Sequence, residues 1–373
     1  MIYILLTWLL APLWWPLAQV RKLASNAPQR VLIAEIAGIG DVVCSTAVFK
    51  AVRERYPHAH IALMVDTVLT DLAAQDTNLD EIVPFAYGAQ RGLKGRLKLM
   101  GCMLGFDTVV CLIPSAAQLT AMCWAAVPRR YSVLPDVPTR SYQWLAPLMT
   151  HAVAHETNTP FVGTQLRLLK PLGIKQGDLS RHLSVQESSR VHLRTWLQRP
   201  ATRWIGIAIG SGQGIKAIHA NVLESLIQQL LQTDGFGVVL IGGSKEVPLA
   251  TQLAKAVDSD RLVNTAGQIS LADLPALIEQ LTIFVGVDSG VTYIADTLGV
   301  PMVYLPGPAS PRDQGPIKAK RITLEKPLSC APCSRVFVTP KTCATGMHDC
   351  IASLTAEDIH AAVSRLLKET GHG

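Results

Sequence analysis

The sequence predicts an α/β protein made of two successive parallel-sheet halves behind an apolar N-terminal arm. Three observations carry that expectation. Short apolar, β-branched runs ending in glycine alternate with helical segments, first from residue 31 and again from residue 204. Such alternation gives βαβ units, right-handed crossovers and a parallel sheet. Between the two series, residues 156–200 carry few strand signals, which marks a boundary. Finally, 373 residues, 49% hydrophobic and 17% charged, suit two domains with a core each and not a disordered chain.

Residues 1–24 form the arm. No charge precedes Arg21 in MIYILLTWLLAPLWWPLAQVRK. An apolar stretch of about 18 residues is borderline for crossing a bilayer. Pro12 and Pro16 interrupt it, and Trp8, Trp14 and Trp15 suit a membrane–water interface. A cleaved signal would carry its positive charge first and end in small residues, which this stretch does not. The expectation is an uncleaved anchor lying in or dipping through the membrane, with the body on the cytoplasmic side. An ordinary buried apolar arm is the alternative. SNAPQR, residues 25–30, follows as a short polar linker.

The first half spans 30–180. VLIAEIAG (31–38) reads as a buried strand closed by glycine. DVVCSTAVFKAVRERYP (41–57) reads as a helix with Val42, Val43, Ala47, Phe49 and Val52 on its apolar side, stopped by Pro57. HIALMVD, DEIVPFA and FDTVVCLIP supply further strands, with the basic amphipathic segment RGLKGRLKLMGCML (91–104) before the last. TQLRLLKPLGI and SSRVHLRTWLQRP look helical, punctuated by Pro171, Gly173 and Gly177.

The second half spans 200–350. WIGIAIGSG and FGVVLIGGSKE are strands running into glycine turns, separated by the helix HANVLESLIQQLLQ. SLADLPALIEQL is a helix with Ser270 as its cap, followed by the strand TIFVGVDSG, the helix VTYIADTLG and the strand VPMVYLPGP. A closing helix, 354–369, opens on a Thr355-x-x-Asp358 box. Ligands of such sheets bind beyond the carboxyl ends of the strands, and a cleft between two halves is the default site.

Composition narrows the partners. A net charge of +6 fits an anionic membrane surface or a phosphorylated substrate. No zinc-finger spacing, RNP-like run or long basic helix points to nucleic acid.

Four constellations carry chemistry. Gly38-Ile39-Gly40-Asp41 lets backbone approach a ligand at a helix start, whose dipole stabilises an ionised carboxylate. Asp41 is then either a base for a hydroxyl proton or only a helix cap. Gly210-Ser211-Gly212-Gln213-Gly214-Ile215-Lys216 can cradle a diphosphate with Lys216 as a point charge, or be a flexible loop with a solvated lysine. Asp288-Ser289-Gly290 closes a strand and opens a helix, another anion site, although Asp-Ser-Gly is common in turns. Cys330, Cys333, Cys343 and Cys350 can supply a structural zinc site, with free thiols packing a loop as the alternative. The other four cysteines lie in apolar segments as core residues.

Together these segments resemble glycosyltransferase family 9, the heptosyltransferases of lipopolysaccharide core assembly, over about residues 30–368. RVLIAEIAGIGDVVCSTAVFKAVRERYPHAHIALMV is similar to the family's opening strand, turn and helix, VVLIGGSKE to its Gly-Gly-x-x-Glu turn, and DLPALIEQLTIFVGVDSGVTYIADTLGVPMVYLPGP is the most specific match. CAPC…C…HDC followed by LTAEDI is similar to a cysteine-bearing tail in many members.

The resemblance implies a GT-B fold, two Rossmann-like domains facing a central cleft, with acceptor on the first and nucleotide-sugar donor on the second. It implies an inverting transfer that requires no cofactor, from an ADP-heptose-like donor to a lipid-linked or lipopolysaccharide acceptor, at the cytoplasmic face of the bacterial inner membrane. In it Asp41 is the general base. Ser211, Gly212, Lys216, Glu246, Asp288, Ser289 and Gly290 bind the donor, Lys216 at phosphate and Glu246 at ribose. Gly38, Gly40, Arg91 and Lys94 lie on the acceptor side; for the basic segment a solvated helix face is the alternative. The chain departs from the family in placing Glu35 where an arginine is usual, Tyr293 where a histidine follows Asp-Ser-Gly, and Ile218-His219 within the segment after Lys216. A weakly active or scaffolding member, and a sugar-nucleotide epimerase of similar fold, stay open as alternatives.

Overall fold

The computed structural model describes residues 1–23, 27–175, 178–197, 201 and 203–372. Ser25 and Asn26 of the expected linker and the Gly177 punctuation lie outside the described residues. The chain divides into two compact units, Met1–Arg181 and His182–Gly373. The arm therefore belongs to the first unit and the C-terminal helix to the second.

The first unit holds β1 (Arg30–Glu35), β2 (His60–Val65), β3 (Glu81–Pro84), β4 (Thr108–Cys111), β5 (Arg129–Leu134) and β6 (His151–Ala154) in one sheet ordered β3-β2-β1-β4-β5-β6. The second holds β7 (Arg203–Ala208), β8 (Phe236–Ile241), β9 (Leu262–Asn264), β10 (Ile283–Val287), β11 (Met302–Leu305) and β12 (Arg321–Thr323), ordered β12-β11-β10-β7-β8-β9. Every pairing is parallel. The two orders are the same arrangement counted from opposite edges. In each unit the chain runs outward over three strands and then returns to start the other side. The reversal lies between β1 and β4, and between β7 and β10, which is where open α/β sheets bind ligands.

The central strands are apolar on both faces because helices cover both, so β1 buries all but Arg30 and β8 buries every residue. Each unit has its own core. The helix Ala356–Glu369 packs Ile359, Val363 and Leu366 into the second, and Thr355 caps it as its sequence predicts, accepting the Asp358 amide at 3.1 Å.

Four strands had escaped the periodicity argument. β9 and β12 have three residues each, and β6 has four at a sheet edge. β5 opens on Arg129 and Arg130, both buried. Arg130 Nε donates to the Leu148 carbonyl at 2.9 Å and its guanidinium stacks on Trp14, so two charges sit in a strand by virtue of partners distant in sequence. Ser270 does not directly cap its helix. That helix is Leu274–Ile278, with Asp273 at its N-cap, and Ser270 instead accepts the Asp273 amide at 3.1 Å.

Candidate active site

In the first unit β1 delivers Glu35 and then the turn to the helix Ile39–Arg55. Gly38 is the N-cap and Asp41 the third helical residue, so Asp41 is not itself the cap. Its Oδ2 reaches back to accept the Gly38 amide at 3.1 Å, half of a capping box. The carboxylate is thus oriented on a half-exposed turn, at the helix end where negative charge is favoured.

Glu35 lies six residues earlier and is fully buried. Its Oε1 accepts from Ser45 Oγ at 2.7 Å, and Ser45 Oγ accepts from Gln165 Nε2 at 2.7 Å. Among the described residues Oε2 has no hydrogen-bond partner. Burial drives the Glu35 carboxyl well above the ordinary glutamate range; the Ser45 hydrogen bond opposes this, and the nearby Asp41 charge adds to it. A buried carboxyl that holds its proton more tightly than an ordinary glutamate therefore backs the Asp41 turn.

Arg91 and Lys94 stand exposed at the start of the helix Gly92–Met103. The rest of that basic segment is committed to aromatic faces: Arg96 lies 4.1 Å from the Tyr3 ring centroid and Lys98 5.2 Å from that of Phe85. The other junction at this unit's reversal follows β4, where Ser115 caps the helix Ala116–Trp124 and donates to Gln90 at 2.7 Å. Nothing in the sequence pattern had singled it out.

In the second unit the turns after β7, β8 and β10 come together. Lys216 is not a solvated lysine. Its Nζ lies 2.6 Å from Asp288 Oδ2, with the two side chains only 10% and 12% exposed. Asp288 Oδ1 accepts from Tyr304 Oη at 3.2 Å and from the Tyr293 hydroxyl. Asp288 thus accepts from three side chains and holds Lys216 in place. Ser289 stands at the N-cap position of the helix Gly290–Leu298 without a side-chain bond to its amides, which open beyond the strand end. Glu246 Oε2 accepts the Gly243 amide at 2.9 Å, and its side chain crosses to the β7 turn. A Cβ on Gly210 would lie 2.4 Å from Glu246 Cγ, so glycine is required there for the two turns to meet. Gly212 sits at φ +68°, and Ser211 Oγ donates to the Gln213 carbonyl at 2.5 Å within an exposed loop.

Sequence reasoning had marked Tyr293 only as a departure and had passed over Tyr304. Their signal is weak, since both lie in apolar runs where an aromatic reads as core.

The four C-terminal cysteines line one cavity with His348 and Asp349. Among the described residues, however, no group of three or more His, Cys, Asp or Glu side chains is placed to hold a metal ion. Cys330 and Cys333 are exposed, whereas Cys350 is buried at the short helix Asp349–Ala352. Hydrogen bonds from Thr345 and from the His348 amide bring the Cys343 thiol down to about 7. Burial, reinforced by the other thiols, raises Cys333 and Cys350.

Comparison with known proteins places this arrangement. The family model for glycosyltransferase family 9 (heptosyltransferase) matches residues 115–341. Lipooligosaccharide heptosyltransferase 2 of Haemophilus influenzae is 24% identical over 307 residues, 78% of this chain and 86% of that protein. A family 9 glycosyl transferase structure from Veillonella parvula superposes with a TM-score of 0.74 at 20% identity, covering 91% of this chain and 98% of that one. The Escherichia coli ADP-heptose lipopolysaccharide heptosyltransferase II structure does so with 0.69 at 20% identity, covering 92% and 99%. The two sheets found here thus have the fold of these proteins.

Proposed function

Because the chain belongs to glycosyltransferase family 9 (heptosyltransferase), we propose that it moves a heptose or related sugar from an ADP-heptose-like donor to a hydroxyl of a lipopolysaccharide-core or other lipid-linked acceptor, inverting the anomeric centre, at the cytoplasmic face of the bacterial inner membrane. Donor and acceptor classes follow those named for the similar proteins.

The observation that carries the donor half is the Lys216–Asp288 pair at the β7/β10 reversal. An ammonium has three N–H groups, and one is spent on Asp288. Two remain for the oxygens of a leaving diphosphate, next to the amides that open the helix Gly290–Leu298. The Tyr293 and Tyr304 hydroxyls on Oδ1 spread the Asp288 charge, so the carboxylate orients Lys216 without cancelling its use. This cationic provision is what lets the reading dispense with a cofactor. On this reading Glu246, which reaches over Gly210, accepts from the ribose hydroxyls.

In the acceptor half Asp41 takes the proton of the attacking hydroxyl. The hydroxyl oxygen bonds to the anomeric carbon, the bond from that carbon to the diphosphate oxygen breaks, and the diphosphate leaves with the electron pair. Attack opposite the leaving group inverts the centre.

The test is sugar transfer by purified protein with ADP-heptose and other nucleotide sugars, on a lipopolysaccharide-core acceptor. Transfer from the ADP sugar with loss on Asp41→Asn is expected. Turnover of the nucleotide sugar without acceptor, or tight donor binding with no transfer to any acceptor, would overturn the reading.

A further inference from the structure

We infer that the arm and the helix Gly92–Met103 form one in-plane seat that docks the first unit on a bilayer bearing anionic headgroups. The inference concerns how the unit is held and goes beyond the transfer reaction.

The arm has two faces. It folds as helices Ile2–Leu9 and Ala11–Leu23, bent by 62° at their junction. The inner face is part of the protein core: Ile4, Trp14 and Ala18 are buried among residues of the first unit. It is also pinned by polar contacts. Trp124 Nε1 donates to Thr7 Oγ1 at 2.9 Å, and Trp14 Nε1 to the Thr7 carbonyl at 3.0 Å. Arg21 donates to the carbonyls of Phe106, Ala125 and Ala126 at 2.9–3.0 Å. The outer face presents Ile2, Leu5, Leu9, Leu13, Leu17 and Val20, all more than half exposed, at helical spacing along each segment. Trp8 and Trp15 flank them and are partly exposed.

The helix Gly92–Met103 adds exposed apolar residues to the same unit. It buries Leu99 and Met103 and leaves Leu93 and Leu97 exposed. Arg96, stacked on Tyr3, ties it to the arm. Exposed apolar side chains in this number on one folded unit mark an interaction site.

Charge selects the occupant. Residues 1–23 and 91–104 carry Arg21, Lys22, Arg91, Lys94, Arg96 and Lys98 and not one carboxylate. Against a second copy these cations would face each other unpaired. Against anionic lipid the exposed Lys22, Arg91 and Lys94 meet headgroup phosphates while the leucines enter the acyl boundary and tryptophans sit between. Spanning is disfavoured by the same contacts. No single described helix is long and apolar enough to cross a membrane, and straightening the pair would strip Thr7, Trp14 and Arg21 of their partners.

The experiment is flotation of the full chain with phosphatidylcholine vesicles, with and without phosphatidylglycerol. Wild type is expected to float with the anionic vesicles, and less at high salt. Leu9→Asp/Leu13→Asp is expected to lose roughly tenfold or more in partitioning, and Leu97→Asp several-fold. These side chains are exposed, so an unchanged melting temperature checks the fold. Equal flotation with neutral vesicles, or wild-type flotation of Leu97→Asp, would overturn the composite seat. So would a dimer by light scattering that Leu9→Asp/Leu13→Asp dissolves, or an N-terminal tag protected in the vesicle lumen. Soluble-acceptor transfer by the same variants reports separately on the proposed reaction.

Discussion

Lys216 Nζ sits 2.6 Å from Asp288 Oδ2, and this pair ties the loop after β7 to the end of β10, the two neighbours at which the second sheet reverses its order. The side chains are about nine-tenths buried, so each charge depends on the other. Breaking such a pair from one side typically costs about 3–5 kcal/mol, because the remaining charge is left buried. Asp288→Asn and Lys216→Met should each lower the melting temperature and weaken ADP binding. The double variant should recover much of the stability and none of the ADP binding. Calorimetric titration alongside thermal unfolding checks this; ADP affinity at wild-type level in Lys216→Met would remove the lysine from the donor site.

Asp41 serves the helix and, on the proposed reading, the reaction, and substitution can separate the two. Asn retains an oxygen for the Gly38 amide, so Asp41→Asn should change stability by less than about 1 kcal/mol. It has no basic carboxylate, so kcat should fall by about 10²–10⁴-fold. Asp41→Ala should lose both. An Asn variant with wild-type kcat would leave Asp41 as a helix residue only.

Glu35 makes stability depend on pH with a definite sign. Its folded carboxyl holds the proton above the range in which an unfolded glutamate releases it. Between those two ranges the unfolded state binds fewer protons, so stability falls as pH rises, by at most about 1.4 kcal/mol per pH unit. The contribution is complete below the ordinary glutamate range and is lost upward through the window. Glu35→Gln should flatten that slope and be more stable than wild type at neutral pH, with the gain vanishing in acid. Unfolding curves at a series of pH values decide it; an unchanged slope would mean that Glu35 is ionised in the fold.

Gly210→Ala tests the meeting of two turns. The new methyl would lie 2.4–2.6 Å from Glu246 side-chain atoms. Glu246 must swing away, and KM for the donor should rise tenfold or more with a smaller change in kcat. Glu246→Ala in the same background should relieve the clash without restoring KM.

Cys343 should be the first of the C-terminal thiols to react with iodoacetamide. Its thiolate fraction rises through a midpoint of about 7, while burial holds Cys350 back. Mass spectrometry of the alkylated chain across pH 6–9 measures the order.

Asp41, Lys216 and Asp288-Ser289-Gly290 were legible because each sits at a junction where an apolar strand meets glycine and a helix, a pattern confined to a few residues, whereas Glu246 was marked only by the family resemblance. Their partners were not. Gln165 reaches Ser45 across 120 positions, and Lys216 reaches Asp288 across 72. No periodicity spans such distances. The cysteine spacing left a zinc site and free packing thiols both open, and it carried no sign that burial separates Cys350 from Cys330 and Cys333.

By itself, the sequence determined two α/β halves, their glycine turns and an apolar arm, because apolar period and turn chemistry are local properties that the chain carries wherever it folds. Only the tertiary structure decided that Asp288 accepts from Lys216, Tyr293 and Tyr304, that Glu35 is buried with its carboxyl raised, and that the arm is pinned along one face and open along the other. Those outcomes depend on desolvation and on partners from remote segments. The free energy of a charge or an apolar face is set by what surrounds it after folding.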